Sequence, residues 1–293
     1  MNYPVGKGMF IWLLSECAGG DPVALALKTR NAGFSWVAIK VQHWTNVYQT
    51  DLLAPAIEAL KSVDISVWGW GYVVGANSLR QSIAAREATK TIEVVNAYEL
   101  DGFFIDAEAE YKRSGSATWA ATYMNAIRST MPELSLGLCS YRFPSYHPEL
   151  PWGTFLAHCN FHAPQVYWEY SHNPQYQMQR SRNELLALKQ LPIVPLGSAY
   201  AHGDWRPTVA DLDAFNGIVQ ELELPGISWW SWQHAERVPK WWAAITAHQW
   251  VEPPPSPPTL EERVSDLEQR VEALENAAQR QIEQVNRRLW WNG

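Results

Sequence analysis

Basic charge is scarce in this sequence of 293 residues: 23 Lys and Arg stand against 30 Asp and Glu, for a formal net charge of -7, and nowhere do the cations form a sustained stripe. A nucleic acid or an anionic membrane surface needs such a stripe to neutralise its phosphates, so neither is an expected partner, whereas a neutral or cationic polymer remains open. Cysteine is equally sparse. Cys17, Cys139 and Cys159 are odd in number and widely spaced, which excludes a disulfide framework and leaves reduced, buried thiols as the expectation. His158, Cys159 and His162 have the look of a metal cluster, but no further Cys or His follows at a ligand spacing, and no metal site is expected. No apolar run is long enough to span a bilayer. The segment "KGMFIWLL" has the single Lys and short apolar core of a signal peptide, yet an amphipathic helix follows at once, so it reads as a first strand. A phosphate-cradling Gly-rich loop and a Gly-x-Ser-x-Gly elbow are also missing, and no cofactor is implied.

What the sequence does have is tryptophan, 17 of them. Large flat rings suit stacking on sugar rings, although core filling is the first explanation for any one of them. With 47% apolar and 18% charged residues, the chain reads as one main globular domain with an appendage. From the N-terminus to about residue 248, strand-like apolar runs alternate with helix-period segments. The runs are "MFIWLLS", "FSWVAIKV", "ISVWGWGY", "GFFIDAE", "LSLGLCSY", "FHAPQVYW", "PIVPLGS" and "GISWWSW". Asp21 followed by Pro22 opens the first helix as a capping residue with proline at the first helical position, and Thr208 opens "TVADLDAFNGIVQEL" in the same manner. Strand and helix alternating in this way over residues 1–251 predict an α/β fold, a (β/α)8 TIM barrel, whose chemistry sits at the C-terminal ends of the strands.

Residues 252–258, "EPPPSPP", predict a stiff extended linker. Thr259 and Glu262 then form a capping-box signature, and Leu260, Val264, Leu267, Val271, Leu274 and Ala278 follow at alternating spacings of four and three. That is a coiled-coil seam, continued by Ile282, Val285 and Leu289 after a stutter. Residues 259–293 are therefore expected to form an oligomerisation helix that makes the protein a homo-oligomer. Trp290 and Trp291 have no assigned role.

The fourth run ends in carboxylates: "DGFFIDAEAE", residues 101–110. Side chains alternate along a strand, so Phe104, Asp106 and Glu108 share one face, with Phe103, Ile105 and Ala107 on the other. A Glu that protonates a leaving oxygen must keep its proton near neutral pH, and an adjacent Asp helps it do so. Both side chains leave the same wall, however. Two-carboxylate glycosidases need acids flanking the scissile bond, about 5–5.5 Å apart when retaining and about 6.5–9.5 Å when inverting. Either a third carboxylate reaches in, or the substrate attacks itself through an N-acetyl group that Asp106 orients. At the other strand ends, Gln165, Tyr167 and Glu169 share a face of strand 6, Glu16 closes strand 1, Lys40 and Gln42 sit on strand 2, Trp68, Trp70 and Tyr72 on strand 3, and Trp229 or Trp230 on strand 8. Aromatics and amides thus surround the acidic pair, as in a carbohydrate-binding lining. Glu110, just before Lys112 and Arg113, falls beyond the rim in a loop role.

"DGFFIDAE" resembles the strand 4 signature of chitinase-type barrels of glycoside hydrolase family 18, Asp-Gly-x-Asp-x-Asp-x-Glu, with Asp101, Gly102, Asp106 and Glu108 matching and Phe104 standing where that family has another Asp. Asp106 and Glu108 also match the Asp-x-Glu of family 25 lysozymes, which cut peptidoglycan between N-acetylmuramic acid and N-acetylglucosamine. Those enzymes carry an Asp at the end of strand 1, where this chain offers Glu16. "QVYW" is similar to the Gln-x-Tyr segment of strand 6 in chitinase-like barrels, and "ISWWSW" to their Trp-bearing strand 8. The resemblance implies a glycoside hydrolase acting on an N-acetylated β-1,4-linked polysaccharide, peptidoglycan first. Glu108 would be general acid and base, Asp106 and Tyr167 would hold the acetamido group, and Trp229 or Trp230 would stack under the ring. Two alternatives stay open. One is a retaining or chitinase-like enzyme with Glu169 or Glu16 as protein nucleophile; the other is a non-catalytic glycan-binding barrel made multivalent by the coiled coil, which Phe104 and the missing strand 1 Asp favour. A wall hydrolase made in the cytoplasm without a signal peptide would suit a phage or prophage lysin.

Overall fold

The computed structural model describes residues 3–251 and, beyond them, only residues 264, 267–269 and 271–272, which are helical. The linker at 252–258, most of the coiled-coil seam, the association expected through it, and Trp290 and Trp291 lie outside the described residues.

Eight strands form a closed parallel barrel: β1 (Gly6–Ile11), β2 (Trp36–His43), β3 (Ser66–Val73), β4 (Phe103–Ala107), β5 (Leu136–Tyr141), β6 (Phe161–Val166), β7 (Leu196–Ser198) and β8 (Gly226–Trp230). Each pairs with the next, and β8 returns to β1 through Gly6 opposite Gly226 and Lys7 opposite Ile227. Around them run α1 (Pro22–Asn31), α2 (Thr50–Lys61), α3 (Ala84–Tyr98), α4 (Ser116–Thr130), α5 (Trp152–Leu156), α6 (Pro174–Leu188), α7 (Val209–Glu221), α8 (Trp232–Glu236) and α9 (Pro239–Ala247). Among the described residues no helix is long and apolar enough to cross a membrane.

The expected helix starts form as their chemistry dictates. The Asp21 carboxylate accepts from the Val23 and Ala24 amides at 2.8 and 3.0 Å, and Thr208 and Asp211 close a capping box on α7. β1 and β7 differ most from the runs that announced them. β1 ends at Ile11, and Leu14–Glu16 turns as a 3-10 helix that buries Leu14. β7 is only three residues long, because Pro192 and Pro195 have no N–H to give a ladder.

Period-two alternation divides the apolar residues into two layers. Met9, Ile11, Val37 and Ile39 face the helices, while Phe10, Trp36, Trp68, Phe104 and Phe161 fill the barrel. The rings fit because glycine stands opposite them: a Cβ on Gly8 would meet the Trp36 ring at 2.1 Å, and one on Gly137 the Phe161 ring at 2.3 Å. The interior is thus an aromatic plug on which the mouth rests.

At the other end of the barrel, Lys7 is buried and donates to the carbonyls of Ile245, Thr246 and His248 at 3.2, 3.1 and 2.8 Å. Those carbonyls belong to the last turn of α9 and the residue just beyond it, where a cation is favoured. Burial lowers the Lys7 pKa to about 8.

Candidate active site

β4 delivers Asp106 to the mouth as a buried residue, level with Tyr72 on β3 and Cys139 on β5, and Glu108 follows just past the strand. The expected parity holds: Phe104, Asp106 and Glu108 all face the barrel interior, Phe104 within the plug and the two carboxylates in the cavity above it. From β6, the Gln165 amide nitrogen donates to both carboxylates, at 3.2 Å to Asp106 Oδ1 and 2.7 Å to Glu108 Oε1. A single neutral donor therefore ties the pair together.

Above the plug lies a cavity of about 160 Å³. Phe10, Cys139 and Leu196 line its floor, Trp70 and Trp230 are its aromatic walls, and Asp106, Glu108, Gln165 and Tyr167 supply its polar groups. Burial, then the neighbouring Glu108 charge and a hydrogen bond between the two, hold the Asp106 carboxyl well above its ordinary range, with Lys40 opposing. The pair consequently holds a shared proton more tightly than a free carboxyl would. Burial likewise keeps the Tyr167 phenol protonated, so it is a donor. Where a second Asp would stand, Phe104 is fully buried and packs between Phe10, Trp36, Trp68 and Phe161, so Asp106 rests on rings rather than on another acid.

Several expected lining residues lie elsewhere. Gln42 is one: β2 carries a bulge, with Lys40 opposite Trp70 but Gln42 opposite Gly71 and His43 opposite Tyr72. The extra residue inverts the parity, so Gln42 turns to the helix layer. There its amide donates to the carbonyls of Trp44 and Glu87 at 2.6 and 3.0 Å and accepts from the Thr91 hydroxyl at 2.7 Å. His43 takes the mouth side instead, stacked with Tyr72 at 6.0 Å, a placement that nothing in the sequence signals. Trp229 is the second correction. It is fully buried toward the helices beside Phe34, opposite Gly197, whereas Trp230 faces the cavity, with its ring 5.3 Å from Trp70 and stacked on Trp12 at 6.2 Å.

Tyr72 does not line the cavity; its hydroxyl donates to Glu110 at 2.6 Å, in the 3-10 turn Ala109–Lys112. Glu16 pairs with Arg237 at 2.8 Å, and Glu169 accepts from Tyr200 at 2.5 Å and from His202 at 2.9 Å. Neither of these carboxylates lines the cavity. Among the described residues, no cluster of three or more His, Cys, Asp or Glu could hold a metal ion.

The sequence matches no protein-family profile and no curated protein. In three dimensions the chain is similar to a chitinase from Chromobacterium violaceum, with a TM-score of 0.58 and 13% identity over 84% of this chain and 100% of that one. A family GH18 chitinase from Cycas revoluta, solved as a complex with allosamidin, gives a TM-score of 0.58 and 14% identity over 84% of this chain and 100% of that one. The spore cortex-lytic enzyme SleL of Bacillus megaterium QM B1551 gives 0.59 and 8% identity over 85% of this chain and 75% of that one. The architecture is thus a (β/α)8 barrel like that of family 18 chitinase-type enzymes.

Proposed function

We propose that this chain is a glycoside hydrolase that cleaves N-acetylated β-1,4-linked polysaccharide with help from the substrate's own acetamido group, and that peptidoglycan is the favoured polymer. The observation that carries this reading is the Gln165 bridge over Asp106 and Glu108 in a cavity whose described lining has no third carboxylate. With no opposing carboxylate, the nucleophile must come with the substrate. A sugar seated on Trp230 places its glycosidic oxygen at Glu108, which takes over the proton it shares with Asp106 and delivers it to that oxygen as the bond breaks. The acetamido oxygen forms the new bond to the anomeric carbon, while Asp106 and the Tyr167 hydroxyl hold the amide and the charge that develops on it. Water then attacks the anomeric carbon, Glu108 takes the water's proton, and the acetamido oxygen leaves again.

Chitinases and a spore cortex-lytic enzyme among the similar structures support an N-acetylated substrate. One observation favours the second reading, a glycan-binding barrel without turnover: Phe104 leaves Asp106 without the acid beneath it that the resemblance leads one to expect. Self-association through residues 259–293 would serve either reading by presenting several mouths to one polymer.

The test is release of reducing ends and loss of turbidity on purified peptidoglycan, with chitin and an unacetylated β-glucan alongside, for wild type and Glu108→Gln. Hydrolysis should be confined to the N-acetylated polymers and fall about 100-fold or more in the variant. Equal cleavage of the β-glucan would refute substrate assistance, and polymer binding without turnover in either protein would establish the second reading.

A further inference from the structure

Lys40 has no task in the mechanism just described. Its ammonium lies among three rings, 5.7 Å from the centroid of Trp12, 4.7 Å from Tyr48 and 4.9 Å from Trp70. The residue is 7% exposed. Rings attract a cation but are poor acceptors for its three N–H donors, and among the described residues no hydrogen bond uses the Lys40 side chain. The carboxyl whose field reaches it is Asp106, yet among the described residues no ion pair joins the two, and burial lowers the Lys40 pKa. A buried ammonium without a paired anion is unfavourable, so the site is incomplete as it stands.

The position of the cage says where an anion would come from. Trp70 is a wall of the cavity, and Trp12 stacks on Trp230, the other aromatic wall. In the closed barrel β2 faces β6 across the mouth, so Lys40 stands on the side opposite Gln165 and Tyr167, among the rings that border the cavity rather than in its lining. The neighbouring His43 is kept neutral, its pKa lowered by burial and by Lys40. A single cation with no second one beside it suits a group of one negative charge, a carboxylate, better than a phosphate.

We infer that Lys40 is a specificity determinant whose ammonium receives a carboxylate borne by the sugar adjoining the one on Trp230. The preferred strands then carry both acetamido groups and sugar acids. This inference rests on the reading of the cavity as an N-acetylhexosamine site. Two sources share the chemistry, the free lactyl group of N-acetylmuramic acid and the acid of a uronic sugar.

Equilibrium binding, read from the fluorescence of the tryptophans at the mouth, tests this without requiring turnover. The probes are peptide-free strands of alternating N-acetylglucosamine and N-acetylmuramic acid, the same strands with their carboxylates converted to methylamides, and fragments of hyaluronan beside theirs. The wild type should bind one acid form about tenfold or more tightly than its amide twin, as for a hydrogen bond to a charged group, and whichever pair shows the preference identifies the source. In Lys40→Met and in Lys40→Gln the ratio should fall to about one, and Lys40→Arg should retain a preference. Equal binding of acid and amide by the wild type overturns the inference whether or not any variant folds. So does an equal loss of affinity for both forms in the Lys40 variants, which would show that Lys40 only props the rings. Acid preference without hydrolysis would leave this inference standing and sink the catalytic reading; hydrolysis without acid preference would do the reverse.

Discussion

Phe104 offers a direct measure of how the site is built, because it occupies the position at which the resembling enzymes carry an acid. Its ring is fully buried, with centroids at 4.9 Å from Phe10, 5.2 Å from Phe161, 5.6 Å from Trp68 and 5.7 Å from Trp36, the last nearly parallel at 18°. Truncating a buried Phe to Ala costs about 3–5 kcal/mol, and four aromatic neighbours that cannot collapse into the hole put Phe104→Ala at the upper end, about 5 kcal/mol. Phe104→Asp loses the same packing and also buries an unpartnered carboxyl beneath Asp106, which adds about 1–3 kcal/mol even when it stays neutral. The sum, roughly 6–8 kcal/mol, is a large part of the roughly 5–15 kcal/mol that holds a domain folded. Restoring the acid alone should therefore unfold or nearly unfold the barrel, while Phe104→Leu, which keeps most of the volume, should fold. Guanidinium titrations followed by tryptophan fluorescence give the three values. A cost below about 2 kcal/mol for Phe104→Ala, or Phe104→Asp proving more stable than Phe104→Ala, would refute the account of the interior as a closed ring plug.

The two adjacent tryptophans of β8 should separate cleanly. Trp230→Ala should weaken chito-oligosaccharide binding about tenfold or more, since it removes a stacking wall. Trp229→Ala should leave that affinity unchanged and cost about 3–5 kcal/mol of stability, and the opposite pattern would reverse their assignment. Glu87, buried on α3, accepts the Val74 and Gly75 amides at 2.8 and 3.0 Å, yet burial raises its pKa from 4.5 to about 6. A carboxyl with a raised folded-state pKa binds more protons in the folded than in the unfolded protein between those two values. Its contribution therefore declines as pH rises through that window, by about 2 kcal/mol in all. Unfolding free energies at pH 4.5 and 6.5 for wild type and Glu87→Gln should change relative to each other by about 1.5 kcal/mol, the part of that total falling between those pH values, and parallel pH dependences would contradict the assignment.

The barrel was legible because its signals are periodic: eight apolar runs, helical segments between them, and caps such as Asp21 and Thr208 that act over three residues. Asp106, Glu108, Gln165 and Tyr167 could be placed on one lining because their strands keep an unbroken alternation up to the mouth. Parity failed where the backbone departs from it. The β2 bulge sends Gln42 outward and brings His43 in, and its cause is a register shift against β3 that no local residue type announces. With Trp229 and Trp230 adjacent, composition could not choose between them; the pairing of Trp230 with Ser198 decided it. Distance along the chain hid the rest. The cage around Lys40 draws on residues 12, 48 and 70, and Glu169 meets Tyr200 and His202 from the following loop, associations that exist only once the barrel closes.

The bonds of Lys7 to the end of α9 also determine how the barrel can be handled. They draw the beginning of β1 and the last helix together on the face remote from the mouth, where Trp250 also approaches Gly6. A dye, bead or surface tether attached near residue 3 or residue 251 would leave the mouth of the barrel open to an insoluble polymer. Tension applied between those two points would load the Lys7 clasp and the short β1–β8 seam first. The barrel should open mechanically from its base, with the mouth the last part to lose its shape.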